Sequence, residues 1–187
     1  MTRTRHLATA LISAALAAAF AVPAFSARVT DPELPRSLDA DGPVTVSWTD
    51  PQAFSEIRYS RNRFEAERGD WVRGIARHLA KRAAGALGPG ERLDVVITDI
   101  ELAGDFEPGA GRSDGVRIVR DIYPPRIDLS YTLYDASGDV ADSGERSLRD
   151  IGFLHRQAGT VGSGDPLRHE KRLVDAWVRD ELARRTR

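Results

Sequence analysis

The chain has 187 residues, 41% hydrophobic and 29% charged, with 27 basic against 28 acidic residues and no cysteine. A net charge of −1 gives no electrostatic reason to expect nucleic acid or an acidic membrane surface as partner. Without cysteine there is no disulfide, thiolate zinc site, cysteine nucleophile or lipidated cysteine anchor, so stability rests on an apolar core.

The first 26 residues read as a secretory signal peptide. Arg3, Arg5 and His6 form a basic start, Leu7 to Val22 an alanine-rich apolar run, and Pro23, Ala24 and Ser26 a break with small residues for cleavage after Ala24 or Ser26. The other reading is an uncleaved anchor, but the run is about 16 residues and a spanning helix needs roughly 20. Thr4 splits Arg3 from Arg5, so there is no twin-arginine pair. The expectation is a periplasmic or secreted protein with no stable membrane insertion after cleavage. Losing Arg3 and Arg5 makes the remaining chain slightly more acidic.

Residues 27–43 hold Pro32, Pro35, Asp39, Asp41 and Gly42 and read as a flexible, disordered or extended leader. A single domain is expected over 44–187. Val44, Val46 and Trp48 alternate along a strand that Asp50-Pro51 ends, and Gln52 to Gly69 reads as irregular. Asp70 is placed to cap a helix to about Leu87. Its apolar stripe includes Trp71, Val72, Ile75 and Leu79; Arg73, Arg77 and Lys81 form a basic back. Leu93, Val95 and Ile97 mark the next strand, and Val116 to Ile122 a weaker one that Pro124 and Pro125 break. Ile127, Leu129, Tyr131 and Leu133 share one face of a strong strand. Ala136-Ser137-Gly138 turns it into a polar return strand, Asp139 to Leu148, expected at an edge. Gln157 to Gly164 reads as a Gly-rich loop. Asp165 as N-cap and Pro166 at the first position open a second helix. Leu167, Val174, Trp177, Val178 and Leu182 share a face into which Glu170 and Glu181 intrude, and a basic tail, Arg184, Arg185 and Arg187, suits its end. The order predicts an α+β fold: a mainly antiparallel sheet of four to five strands with two helices packed on one face. The first strand and the one at Arg92 can run parallel across the first helix.

Two charged segments are candidates for chemistry. Asp99, Glu101, Asp105 and Glu107 alternate, and carboxylates in that density suit a hard cation, yet the spacing is not that of a calcium loop. Asp99 and Glu101 also share the parity of core-facing Leu93, Val95 and Ile97. The strand must therefore bulge or end near Asp99 or Gly104. The second segment carries Arg117, Arg120, Asp121, Tyr123 and Arg126, which could clamp an anion bidentately or pair with nearby acids. Asp105, Glu107, Arg120, Tyr123 and Arg126 are taken as the candidate binding surface. Asp99, Glu101, Arg117, Asp121 and Glu170 are taken as a structural ion-pair network centred on Glu170, because a buried carboxylate needs a partner. His169-Glu170 begins a zinc-protease-like string, but Leu173 stands where the second His is needed. His78 reads as packing, as do Trp48, Trp71, Trp177, Tyr131 and Tyr134. There is no Gly-x-Ser-x-Gly elbow, and Gly109 to Gly115 does not match a phosphate loop. No catalytic set, metal site or cofactor is assigned.

Several strings carry a family likeness: Thr98 to Pro108, Val116 to Ile127 with its Asp-Ile-Tyr-Pro-Pro-Arg core, Leu148-Arg149-Asp150, Asp165 to Leu173, and Trp177. Over about Val44 to Trp177 the chain resembles a family of small exported proteobacterial proteins known only as a domain of unknown function. The resemblance implies Tyr at the position of His169, so no hydroxyl stands there. It supports one envelope domain and carries over no activity. The leading expectation is a non-catalytic periplasmic module that binds an envelope protein or a small ligand. The alternatives are a small hydrolase using Asp and Glu as acid and base, or a cation-binding protein.

Overall fold

A computed structural model describes residues 27–109, 115–155 and 164–183. The expected signal peptide, most of the Gly109–Gly115 stretch, the Gln157–Gly164 loop up to residue 163 and the basic tail lie outside the described residues. In chain order the elements are β1 (Val44–Trp48), α1 (Ser55–Arg58), α2 (Arg63–Ala66), α3 (Trp71–Ala84), β2 (Arg92–Glu101), β3 (Asp105–Phe106), β4 (Arg117–Ile118), β5 (Arg126–Tyr134), β6 (Val140–Arg149) and α4 (Arg168–Trp177). A π-helical turn, Val178–Leu182, extends α4.

The main sheet has the order β1-β2-β5-β6. Strand β1 runs parallel to β2, and β2–β5 and β5–β6 are antiparallel. The sheet is therefore mixed: two of its three pairings are antiparallel, and β1–β2 is the parallel pair that the crossover through α3 allowed. A second sheet has only β3 and β4. Four helices are present among the described residues, and only α3 and α4 exceed one turn or so. Leu93, Val95, Ile97, Ile127, Leu129, Tyr131 and Leu133 bury one sheet face against Val72, Ile75 and Leu79 of α3 and Leu173, Val174 and Trp177 of α4. Both long helices thus cover the same face, as the apolar stripes require.

The conflict at Asp99 is resolved by a register shift between Ile97 and Asp99. One extra residue, Thr98, resets the phase: Ile100 pairs with Ile127 in the core, while Asp99 faces Asp128 and Glu101 faces Arg126 on the other side. Magnitudes favour the bulge. It disrupts one or two ladder bonds at about 1 kcal/mol each, whereas turning two carboxylates inward costs several kcal/mol per charge.

Helix α3 ends at Ala84, one turn short of the expectation, with Gly85 as its C-cap. Asp70 stands at the N-cap, but its side chain makes no capping bond. Helix α4 starts at Arg168, later than expected, because Asp165 accepts from Leu167 N at 2.9 Å and from Lys171 Nζ at 2.6 Å and so holds Pro166 and Leu167 in a turn before the helix. The weak Val116–Ile122 strand shrinks to two residues.

The segment read as irregular, Gln52–Gly69, contains α1 and α2. Asp50 and Asn62 cap its turns, accepting from Gln52 N at 3.0 Å and Glu65 N at 3.2 Å. It buries Phe54 and Ile57 in the core. Residues 27–43 contain turns at 29–30 and 32–33 and are bonded to the domain. Val29 N donates to Glu67 O at 3.0 Å, Leu38 N to Val46 O at 2.9 Å and Trp48 N to Arg36 O at 2.9 Å. The leader therefore covers the free edge of β1.

Candidate functional site

The turn after β2 is held by two buried carboxylates from different helices. Glu56, on α1, accepts from Leu102 N at 3.0 Å. Glu170, on α4, accepts from the next amide, Ala103 N, at 2.7 Å. The two glutamates are 5% and 1% exposed. Burial pushes both carboxyls up; at Glu56 the Arg117 guanidinium opposes the rise, and at Glu170 the Ala103 amide does. Arg117 forms an ion pair with Glu56, donates to Gly104 O at 2.8 Å, and lies 4.6 Å from the Phe106 ring centroid. Gly104 has φ +85°, and a Cβ there would sit 2.6 Å from Ile118 O, so the close crossing of the β2–β3 turn and β4 requires glycine.

This geometry revises the proposed network. Arg117 pairs with Glu56 and not with Glu170, because α1 brings Glu56 to the guanidinium. Among the described residues no ion pair reaches Glu170, and its second oxygen, Oε2, has no hydrogen-bond partner. Glu170 is fully buried, as its place in the apolar stripe required, but it is no hub of arginines. Asp121 lies exposed in a turn. The intruding Glu181 meets Arg146 Nε at 2.7 Å, and Arg146 Nη2 donates to the buried Tyr131 hydroxyl at 3.1 Å. His78 Nε2 lies 2.9 Å from Asp175 and joins α3 to α4.

The five candidate binding residues form two groups. Asp105, Glu107, Arg120 and Tyr123 belong to a ladder. Arg120 pairs with Glu107 at 2.7 Å, the Tyr123 hydroxyl donates to Glu107 at 3.0 Å, Arg61 donates to that hydroxyl at 3.0 Å, and Arg61 reaches Asp105 at 3.5 Å. Arg126 stands apart. It pairs with Asp99 and Asp128 at 2.6 Å each and with Glu101 at 3.5 Å, and donates to Ser55 Oγ at 2.8 Å. Asp99 in turn accepts from Ser55 N and Ser55 Oγ at 2.6 Å each, which fixes the start of α1.

The two-stranded ribbon divides two concavities. Phe106 and Arg117 are directly paired and line one side; Asp105, one residue earlier, lines the other. The first is a mostly apolar cleft of about 500 Å³. Ala66, Trp71, Leu102, Ala103, Phe106 and Leu167 form its walls, with Arg68, Asp70 and Arg117 at polar points. The second is a polar notch of about 40 Å³ between Ser55, Glu56, Tyr59, Asp105 and Tyr123. A third groove of about 370 Å³ runs between the leader and the basic side of α3, where Arg73, Arg77 and Lys81 face Asp39 and Asp41. Among the described residues no group of three or more His, Asp or Glu is arranged to hold a metal ion.

Sequence reasoning missed Ser55, Glu56 and Arg61. The available signal was Phe54 and Ile57, two large apolar residues inside a polar stretch, with Glu56 between them.

Fold and site together define a small α+β domain whose helix-covered mixed sheet carries an apolar cleft beside a buried carboxylate–arginine cluster. The chain belongs to the DUF3016 family of proteins of unknown function, whose model matches residues 42–180. The match begins just before β1 and ends within the turn after α4. No curated protein and no solved structure matches the chain. Among the described residues no helix is long and apolar enough to cross a membrane.

Proposed function

We propose that this protein is an exported binding module of the cell envelope, and that an apolar part of its ligand or partner occupies the cleft beside Phe106 and Arg117. The supporting observation is the cleft itself. Its volume of about 500 Å³ lies in the usual range for ligand sites, and its apolar walls carry a few convergent polar groups. Arg117, in its wall, already balances Glu56, and Arg68 pairs with Glu65, so the cleft presents little net charge. The notch on the other side of the ribbon, with Asp105 and Tyr123 and the adjoining Glu107 and Arg120, offers a second, polar contact surface.

The second reading is a small hydrolase using Asp and Glu. It is favoured by the raised Glu56 carboxyl at a notch that also holds Asp105. Size weighs against it. About 40 Å³ accommodates a few waters, not a sugar ring or a peptide unit.

Trp71 in the cleft wall gives a test. The dye anilinonaphthalene sulfonate is expected to bind the folded protein beside Trp71 and to accept excitation energy from it. Leu167→Gln, which adds no charge to attract the sulfonate, weakens binding by about tenfold, the effect of losing one apolar wall residue. An unchanged thermal transition shows that the variant is folded. Equal dye binding by the folded variant and the wild type would overturn the assignment of the cleft.

A further inference from the structure

We infer that the outer edge of β6 is a docking surface for a second copy of this chain, paired antiparallel about a two-fold axis at Gly144. This does not rest on the cleft. The sheet treats its two edges differently. The leader covers β1 through Leu38 N to Val46 O and Trp48 N to Arg36 O. Strand β6 is last in the sheet order, and among the described residues no backbone hydrogen bond reaches its outer side. It is 10 residues long, at the upper end of the usual strand range, and an exposed edge of that length is a template for another strand.

The residues along β6 select the partner and the register. A two-fold axis perpendicular to the sheet keeps each face on its own side, so a residue meets one of the same parity. With the axis at Gly144, Asp142 stands opposite Arg146 of the second copy, and symmetry repeats the pair. Ser143 stands opposite Glu145, and Gly144, over which Arg146 Nη1 folds to 2.9 Å from a Cβ position, meets itself without a side chain of its own. Moving the axis to Glu145 sets two glutamates face to face, and moving it to Arg146 sets two arginines face to face. Opposite charges directly across a ladder stabilise it and like charges oppose it. Within each copy Asp142 and Arg146 both bond the Tyr131 hydroxyl, at 2.7 and 3.1 Å. Their heads are thereby held on one face of the edge, already ordered before pairing. The irregularity at Ala141, between the Leu133–Asp142 and Tyr134–Val140 pairs, limits the regular stretch to residues 142–149. The product is a continuous eight-stranded sheet.

Sedimentation of the purified protein over a range of concentrations tests this, with a reversible monomer–dimer equilibrium expected. Asp142→Arg places arginine against arginine twice and weakens association by about tenfold, and adding Arg146→Asp restores it. These residues also bond within the chain, so a second measurement avoids them. The protein has no cysteine, and Ser143 and Glu145 are exposed. A mixture of Ser143→Cys and Glu145→Cys chains forms disulfide-linked dimers faster than a mixture of Glu145→Cys and Arg149→Cys chains. A monomer at every concentration would overturn the proposal, as would equal cross-linking in both mixtures. The first outcome would make the charges and the irregularity of β6 protection against pairing; the second would place the contact in another register or on another surface.

Discussion

Glu56 and Glu170 accept hydrogen bonds from consecutive backbone amides, Leu102 N and Ala103 N, although one carboxylate comes from α1 and the other from α4. The turn that starts the cleft floor is thus gripped from two sides. The two grips differ in kind. Glu56 has a counter-charge in Arg117; Glu170 has the amide and a buried, unpartnered Oε2.

Glu170 therefore destabilises the fold when ionised. An unfolded glutamate titrates near 4.5, and burial pushes the folded group higher. Between those values the native state binds more protons than the unfolded chain, so stability falls as pH rises through that window and stays reduced above it. Glu170→Gln keeps the acceptor for Ala103 N and removes the charge. The expected result is a higher urea midpoint than wild type at pH 8 and a shallower decline between pH 5 and 8. Glu56 contributes a decline of the same sign, so the slope is reduced and not abolished. A variant less stable than wild type at pH 8, with the slope intact, would contradict this account.

The neighbouring residue pulls the other way. His169 is buried against the Phe153 ring, with centroids 4.8 Å apart, and neither ring nitrogen has a hydrogen-bond partner. Burial, followed by Arg168 and Arg172, pushes its pKa down to about 4, while Asp150 opposes the shift. The unfolded histidine takes up a proton near 6.5, so stability is lost as pH falls from there to about 4, by up to roughly 3 kcal/mol. His169→Phe removes that loss. Denaturation midpoints at pH 4.5 and 7 should differ less in the variant than in wild type; an unchanged difference would place the acid sensitivity elsewhere.

Removing Arg117 leaves Glu56 buried without its counter-charge. Breaking such a pair costs about 3–5 kcal/mol. The Arg117 side chain is 22% exposed against 4% for Glu56, which places Arg117→Ala near the lower end. The double change Glu56→Gln with Arg117→Met removes both charges, keeps an acceptor for Leu102 N and recovers most of the loss. Chemical denaturation of both variants measures this. A single variant within about 1 kcal/mol of wild type would show that the pair behaves as a surface ion pair.

What could be read in advance divides along physical lines. Period-2 alternation marked β2 and β5, and the parity of Asp99 against Ile97 required the strand to bulge or end there; it bulges. The stripe that buried Glu170 was visible for the same reason: a helix face is a local property. Partner choice was not local. Arg117 lies far along the chain from Glu56, and the expectation joined it to Glu170 because α1, four residues long, has too little periodicity to announce a helix. The cleft draws on the α2–α3 junction, the β2–β3 turn, β4 and the start of α4, and no one of these segments shows a concavity by itself. The Asp105–Tyr123 ladder was half visible; its central cation, Arg61, sat in the stretch read as irregular.

Two glycines with the same backbone requirement separate conformational strain from close approach. Gly104 and Gly138 have φ of +85° and +89°, so alanine at either position costs about 1 kcal/mol for the left-handed conformation. At Gly138 a Cβ meets nothing within 4 Å, and the loss should stop there. At Gly104 the Cβ would fall 2.6 Å from Ile118 O and 3.1 Å from Val119 Cα. Both are backbone atoms, so the ribbon itself must move. That raises the cost to about 2–4 kcal/mol and displaces Phe106 and Arg117 from the cleft wall. Gly104→Ala is therefore expected to lower both the unfolding midpoint and dye binding, and Gly138→Ala only the first, slightly. Equal losses of stability in the two variants would mean that the ribbon yields freely, and that the cleft is not held by this crossing.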